Sequence, residues 1–82
     1  MRGVNMSWNH RVIREKAPMS DSGEWLTIRE VYYDEDENII LYSNPMEPAG
    51  ETLTDLSIEL NRMLKSLEKP IINIEDLPKD SD

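Results

Sequence analysis

The fold is decided by residues 25–42, which read WLTIREVYY at 25–33, DEDE at 34–37 and NIILY at 38–42. Both apolar segments are rich in the β-branched and aromatic side chains that suit the pleated surface of a sheet. A short polar run between two such segments is typical of a β-hairpin. We therefore predict an antiparallel hairpin with an acidic tip. Glu37 or Asn38 is expected in the left-handed backbone conformation there, which Asn adopts at lower cost.

An alternating segment before the hairpin, residues 8–14, predicts a further strand. Trp8, His10 and Val12 would lie on one side of it, and Ile13 on the other. Residues 17–23 contain the Pro, Ser and Gly of a loop and separate this strand from the hairpin.

Apolar residues at helical spacing predict one amphipathic helix after the hairpin. This leucine stripe comprises Leu53, Leu56, Leu60, Met63, Leu64 and Leu67. Thr52 is the predicted N-cap, with Asp55 completing a Thr-x-x-Asp capping box, and Pro70 stops the helix. Ile58 lies off the stripe and is expected to be exposed.

The order of elements predicts an α+β fold, a three-stranded antiparallel β-meander followed by one helix packed on one face (β-β-β-α). Residues 71–74 form either a short C-terminal strand or an extended arm. We divide the chain into a disordered N-terminus at 1–6, a single domain at 7–74 and a disordered acidic tail at 75–82.

Both faces of the predicted sheet carry large apolar side chains, but a single helix can cover only one. We expect the helix to lie on the face with Leu26, Ile28, Tyr32, Ile40 and Tyr42. An apolar patch on the other face needs a cover: residues 71–77, a second copy of the chain or a foreign protein. The candidate partner-binding residues are Trp25, Val31, Tyr33, Ile39, Leu41 and Ile58.

The candidates for site chemistry are few. Asp34, Asp36 and Asn38 have the spacing that begins an EF-hand loop, but Ile39 and Pro45 occupy the positions where that loop needs Gly and Glu. Glu30 interrupts an apolar strand face, where a buried carboxylate can act as an acid, but we expect it to pair with Arg11 or Arg14. We predict no catalytic, metal-binding or cofactor-binding residues.

Composition excludes several classes of function. The 82 residues carry a net charge of −8, no Cys and one His. Thiolate chemistry and a paired-His metal site are therefore excluded. The charge argues against direct binding of nucleic acid or anionic membrane. With no apolar run long enough for a membrane span and no secretory signal pattern, we expect a cytoplasmic protein.

Three segments carry a family resemblance: WNHRVIR at 8–14, IREVYYD at 28–34, and PAGETL at 48–53 with Lys69-Pro70 after the helix. Together they resemble a family of small uncharacterised bacterial proteins, which implies a single cytoplasmic domain. Gly50-Glu51-Thr52 and the following helix are also similar to the small domain of HicB-type antitoxins, a likeness of architecture, which does not fix function.

We therefore expect a non-enzymatic protein-interaction module, acting as a homodimer or with an unknown protein partner. One alternative is an antitoxin-like or nucleic-acid-mimic inhibitor of a basic protein, which the acidic charge suggests. The other is an enzyme that uses Glu30.

Overall fold

The computed structural model describes residues 7–78 and has an α+β architecture. Its strands are β1 (Ser7–Lys16), β2 (Glu24–Tyr33), β3 (Ile39–Tyr42) and β4 (Ile72–Asn73). The helix α1 (Leu53–Ser66) lies between β3 and β4, and a 3-10 turn (Ile74–Asp76) follows β4. The predicted residues 1–6 and the end of the predicted tail, 79–82, lie outside the described part.

The four strands form one mixed sheet in the order β3-β2-β1-β4. β1 pairs antiparallel with β2, and β2 with β3, as the predicted meander requires. β4 adds to the free edge of β1 in the parallel direction, with Ile13 opposite Ile72. β4 is the short C-terminal strand that was one of the two predictions for residues 71–74. It makes the predicted three-stranded antiparallel sheet a four-stranded mixed sheet.

The sheet has two sides, which we name by what covers them. The helix side carries His10 and Val12 of β1, and α1 packs there against β1. The arm side carries Ile13, and the arm, residues 71–77, lies against it. Leu26, Ile28 and Tyr32 stand opposite the helix-side residues of β1. The helix therefore lies on the predicted face, but that face is not the core that was expected, since Leu26 is 53% exposed.

β3 does not keep the alternation predicted for it. Val31 stands opposite Tyr42 and Tyr32 opposite Leu41, and a register shift follows between Tyr32 and Tyr33. Tyr42 therefore lies on the arm side and Leu41 on the helix side, the reverse of the prediction. The side on which each β3 residue lies depends on its pairing register with β2, and the alternation in the sequence does not determine that register.

The hydrophobic core of the domain lies on the arm side. Ile13 and Val31 are fully buried there, and Leu77 is 5% exposed against them. The partly buried side chains packed around these three are Tyr33, Ile39, Tyr42, Ile72 and Ile74. The chain's own arm thus covers the second sheet face around Ile13 and Val31. The ordered chain extends at least to Leu77, beyond the predicted start of the tail at residue 75.

Arg29 is a buried charge on the arm side, and its partners surround it. Its guanidinium donates to the Glu15 carboxylate at 2.9 Å, to the Ser43 carbonyl oxygen and to the Thr27 hydroxyl. The ring of Tyr42 lies 5.7 Å from its central carbon. Because a buried charge is tolerated only when paired and hydrogen-bonded, Arg29 fixes the end of β1 and the loop after β3 around itself.

The helix begins as predicted but does not bury its leucine stripe. The Asp55 N–H donates to the Thr52 hydroxyl at 3.0 Å, which confirms the N-cap. Met63 and Ser66 are the buried helix residues, whereas Leu60 and Leu64 are exposed. The helix is therefore turned about its axis from the expected orientation.

The hairpin tip places Glu37 in the left-handed conformation, with φ 64°. The Asp34 N–H donates to the Asn38 carbonyl oxygen, and the Glu37 N–H donates to that of Asp34. The Asp34 carboxylate accepts the N–H groups of Asp36 and Asn38, each at 2.9 Å. Of the two predicted positions, Glu37 takes the conformation that is costly for a residue with a Cβ.

Replacement of Glu37 by Gly should stabilise the protein. Relief of the left-handed strain outweighs the extra freedom of Gly in the unfolded chain, and the net gain is roughly 0.5 kcal/mol in the free energy of unfolding. Urea denaturation followed by circular dichroism measures the change. Glu35→Gly, at a position without positive φ, is the matched control and should lose stability. Equal losses in both variants would contradict the strain at Glu37.

Truncation of Leu77 tests the arm as the cover of the core. Leu77→Ala should lower the free energy of unfolding by about 2–4 kcal/mol, since it removes apolar contacts and leaves a cavity against Ile13 and Val31. Met19→Ala is the control, because Met19 is 97% exposed and its change should stay within about 0.5 kcal/mol. Equal stability of L77A and the parent in urea would show that the arm does not hold the core.

Candidate functional site

The helix side of the sheet joins β1 to α1 through a buried histidine. His10 is 4% exposed, and its Nε2 lies 3.1 Å from a carboxylate oxygen of Glu59. The imidazole N–H donates to this carboxylate, so Glu59 faces the sheet from the helix. His10 lies on the same side of β1 as Val12, as the alternation predicted. The pair also orients α1, because Glu59, Met63 and Ser66 recur on one side of the helix.

A cleft of about 410 Å³ opens between the start of β1 and the second half of α1. Its walls include Trp8 and His10 of β1, and Arg62 and Lys65 of α1, with Lys69 beyond the helix end. The Trp8 indole is 45% exposed and meets the His10 ring edge-on, with 5.5 Å between the centroids. Three cations and an aromatic ring thus surround one cleft in a chain of net charge −8.

A second surface is formed by the leucines that α1 does not bury. We call it the leucine face: Leu53, Leu60, Leu64 and Leu67. Their exposed fractions are 84%, 48%, 62% and 60%. At 3.6 residues per turn the four side chains project within about 60° of one another around the helix axis. They form a continuous apolar strip on one side of the helix.

The predicted partner-binding residues lie in different parts of the structure, some exposed and some buried. Trp25, Leu41 and Ile58 are exposed, but on different parts of the molecule: the arm side, the helix side and the helix. Tyr33 and Ile39 are partly buried against the arm-side core. Val31 is fully buried in that core, which removes it from the exposed surface for which it was predicted. The predicted set therefore does not form one contact surface.

Sequence reasoning missed both the cleft and the leucine face. Arg62, Lys65 and Lys69 recur at helical spacing, a signal that marks a basic side of the helix. That signal does not place Trp8 beside them, because the contact depends on how α1 lies on β1. The leucine stripe in the sequence predicts an apolar side of the helix, and that side was expected to pack against the sheet.

The Asp34 carboxylate stabilises the turn at the acidic tip by accepting backbone hydrogen bonds. Hydrogen bonds from the backbone N–H of Asn38, followed by that of Asp36, lower the pKa of the Asp34 carboxyl from its ordinary value. Glu35, Asp36 and Glu37 are exposed beside it. Within residues 7–78, no three His, Asp or Glu side chains are grouped so that they could hold a metal ion.

Glu30 does not pair with an arginine, which corrects the prediction. The Tyr32 hydroxyl donates to the Glu30 carboxylate at 2.6 Å. Arg11 instead donates to the Tyr33 hydroxyl and to the Pro70 carbonyl oxygen, and Arg14 donates to Asn73. The hydrogen bond to Glu30, with smaller contributions from burial and the carboxylate charge, raises the pKa of Tyr32 above its ordinary value.

Removal of the Glu30 charge should lower the pKa of Tyr32 toward its ordinary value. In Glu30→Gln the phenol no longer donates to a carboxylate, so its deprotonated form costs less. Ultraviolet titration of tyrosinate measures this in the protein's three tyrosines, and a Tyr32→Phe variant identifies the transition that belongs to Tyr32. An unchanged transition in E30Q would contradict the contact.

Comparisons with known proteins found no relative of this chain. No family model matches the chain, and no curated protein or solved structure matches it either. The resemblances to small bacterial proteins and to HicB-type antitoxins therefore stay predictions. In the part of the chain that the structure describes, α1 is too short and too polar to cross a membrane.

Proposed function

We propose that the protein is a non-enzymatic protein-interaction module that pairs with a second copy of itself through the leucine face of α1. The observation that carries this proposal is the exposure of Leu53, Leu60, Leu64 and Leu67 on one side of the helix. Each leucine side chain that moves from water into an interface contributes about 1.5–3 kcal/mol. A continuous apolar strip of this kind is typical of a protein contact surface.

The helix dipole favours a second copy in the antiparallel direction. Two antiparallel helices place the positive N-terminal end of each beside the negative C-terminal end of the other, whereas two parallel helices place like ends together. The charged side chains of α1 do not set this direction, because Glu59 is bonded to His10 and Arg62 and Lys65 project away from the leucine face.

The spacing of the leucines is symmetric about Leu60. Leu53 and Leu67 lie seven residues before and after it, so a twofold axis near Leu60 brings Leu53 of one copy to Leu67 of the other. Leu60 then meets its own counterpart at the centre. The same apolar strip serves both copies, as a twofold contact requires.

Substitution of the leucine face should abolish the pairing. We expect light scattering after size exclusion to give twice 9.6 kDa for the parent protein and 9.6 kDa for the Leu60→Asp, Leu64→Asp double variant. Ile58→Asp is the matched control, since Ile58 is 46% exposed on the opposite side of the same helix and the dimer should persist. A parent that stays monomeric at high concentration would overturn the proposal.

Single cysteines test the direction of the two helices in a chain that has none of its own. In the antiparallel dimer, a mixture of Leu53→Cys and Leu67→Cys chains should form disulfides between the two variants in preference to disulfides within either variant. Electrophoresis of tagged and untagged chains separates the products. Preferential disulfide bonding between two Leu53→Cys chains would indicate parallel helices and contradict the proposed antiparallel pairing.

A further inference from the structure

We propose that the cleft between β1 and α1 binds a free nucleoside phosphate. The base would lie against the indole of Trp8, and the phosphate groups would be held by Arg62, Lys65 and Lys69. This site is distinct from the leucine face, because Arg62 and Lys65 project about 140–160° away from Leu60 around the helix axis. Ligand binding in the cleft therefore does not depend on the dimer.

The size and lining of the cleft suit a ligand of this class. Its volume of about 410 Å³ falls within the range of small-molecule sites, roughly 300–1,000 Å³. Aromatic surface and charged groups both line it, and a nucleoside phosphate presents the complementary pair, a planar ring and an anion.

The three cations are available to a ligand. Arg62, Lys65 and Lys69 make no side-chain hydrogen bond or ion pair with any of the residues 7–78. Of the acids near them in sequence, Glu59 is bonded to His10 at 3.1 Å, and Glu68, next to Lys69, forms no ion pair with any of the three. Cations near a helix C-terminus offset the helix dipole in any protein, so their presence alone does not indicate a site. Their convergence with Trp8 on one cleft is the additional observation.

The indole is held in place but not covered. The rings of His10 and Tyr32 contact Trp8, with centroids 5.5 Å and 6.3 Å from its own. His10 is fixed in turn by Glu59. A tryptophan that keeps 45% of its surface exposed while its orientation is set by neighbours is preorganised to stack on a planar ligand. Stacking of a base on an aromatic side chain contributes about 1–3 kcal/mol by alanine substitution.

The charge of the whole chain favours a free nucleotide over a nucleic-acid strand. A strand that enters the cleft carries further phosphates across a surface of net charge −8, and each meets repulsion instead of a cation. A free nucleotide presents its phosphates only to the three cations. The proposed ligand is therefore a nucleoside mono- or diphosphate.

Fluorescence of Trp8 measures the binding directly. Trp25 is the other tryptophan, and Trp25→Phe leaves Trp8 as the sole indole. In this background, titration with ADP should quench the fluorescence at a dissociation constant at least tenfold below those of adenosine and of pyrophosphate, because each of these lacks one half of the ligand. A short oligoadenylate should bind no more tightly than ADP.

Variants assign the two halves of the ligand to their residues. Arg62→Gln with Lys65→Gln should weaken ADP at least tenfold and leave adenosine unchanged, and calorimetry of Trp8→Ala should show a similar loss for ADP. Lys16→Gln is the matched control, since Lys16 is an exposed cation at the far end of β1. Circular dichroism checks that each variant is folded, and the exposed Arg62 and Lys65 can be replaced without disturbing the core.

Each contrary result overturns a defined part of the proposal. Pyrophosphate binding as tight as that of ADP would leave an anion site without recognition of the base. Adenosine binding as tight as that of ADP would remove the phosphate contacts. Tighter binding of oligoadenylate would replace the free nucleotide by a strand. No quenching by ADP up to about 5 mM, a free energy too small for a specific site, would overturn the proposal as a whole.

Discussion

The rest of the structure depends on one constraint: a small twisted sheet with apolar side chains on both faces needs two covers, and the chain supplies one helix. The arm is the second cover. Its parallel pairing with β1 brings Leu77 onto Ile13 and Val31, and these three side chains form the buried cluster on that side of the sheet. The helix lies on the other side of the sheet, against β1.

Polar contacts decide how the helix then lies. His10 points to the helix side and is almost completely buried, and its ring N–H needs an acceptor in that position. Glu59 supplies the acceptor, so the side of α1 that faces the sheet carries a glutamate, Met63 and Ser66. The leucine face is displaced from the sheet as a consequence. One buried hydrogen bond thus links the interior of the domain to the exposure of its most apolar surface.

The sequence predicted the local features well. The three main strands and the helix with its Thr52 cap follow from propensity and capping, which act over a few residues. A left-handed residue at the hairpin tip was also predicted, but it is Glu37 and not Asn38, which adopts that conformation at lower cost. The faces of β3 were not predictable, since a register shift of one residue exchanges Leu41 and Tyr42. Nor was the partner of Glu30. Tyr32, two residues away on the same strand face, donates to the carboxylate, whereas Arg11 lies on the arm side of β1.

The candidate sites were less predictable than the fold for a related reason. A leucine stripe at helical spacing shows that one side of a helix is apolar, but whether the sheet or another chain covers it depends on the rotation of the helix. That rotation is set here by a residue forty-nine positions away in sequence. The same rotation places Arg62 and Lys65 on the wall of the cleft that Trp8 also lines, so the cleft and the leucine face arise together. A helix that had buried its leucines would have carried its cations away from the indole, and neither surface would exist.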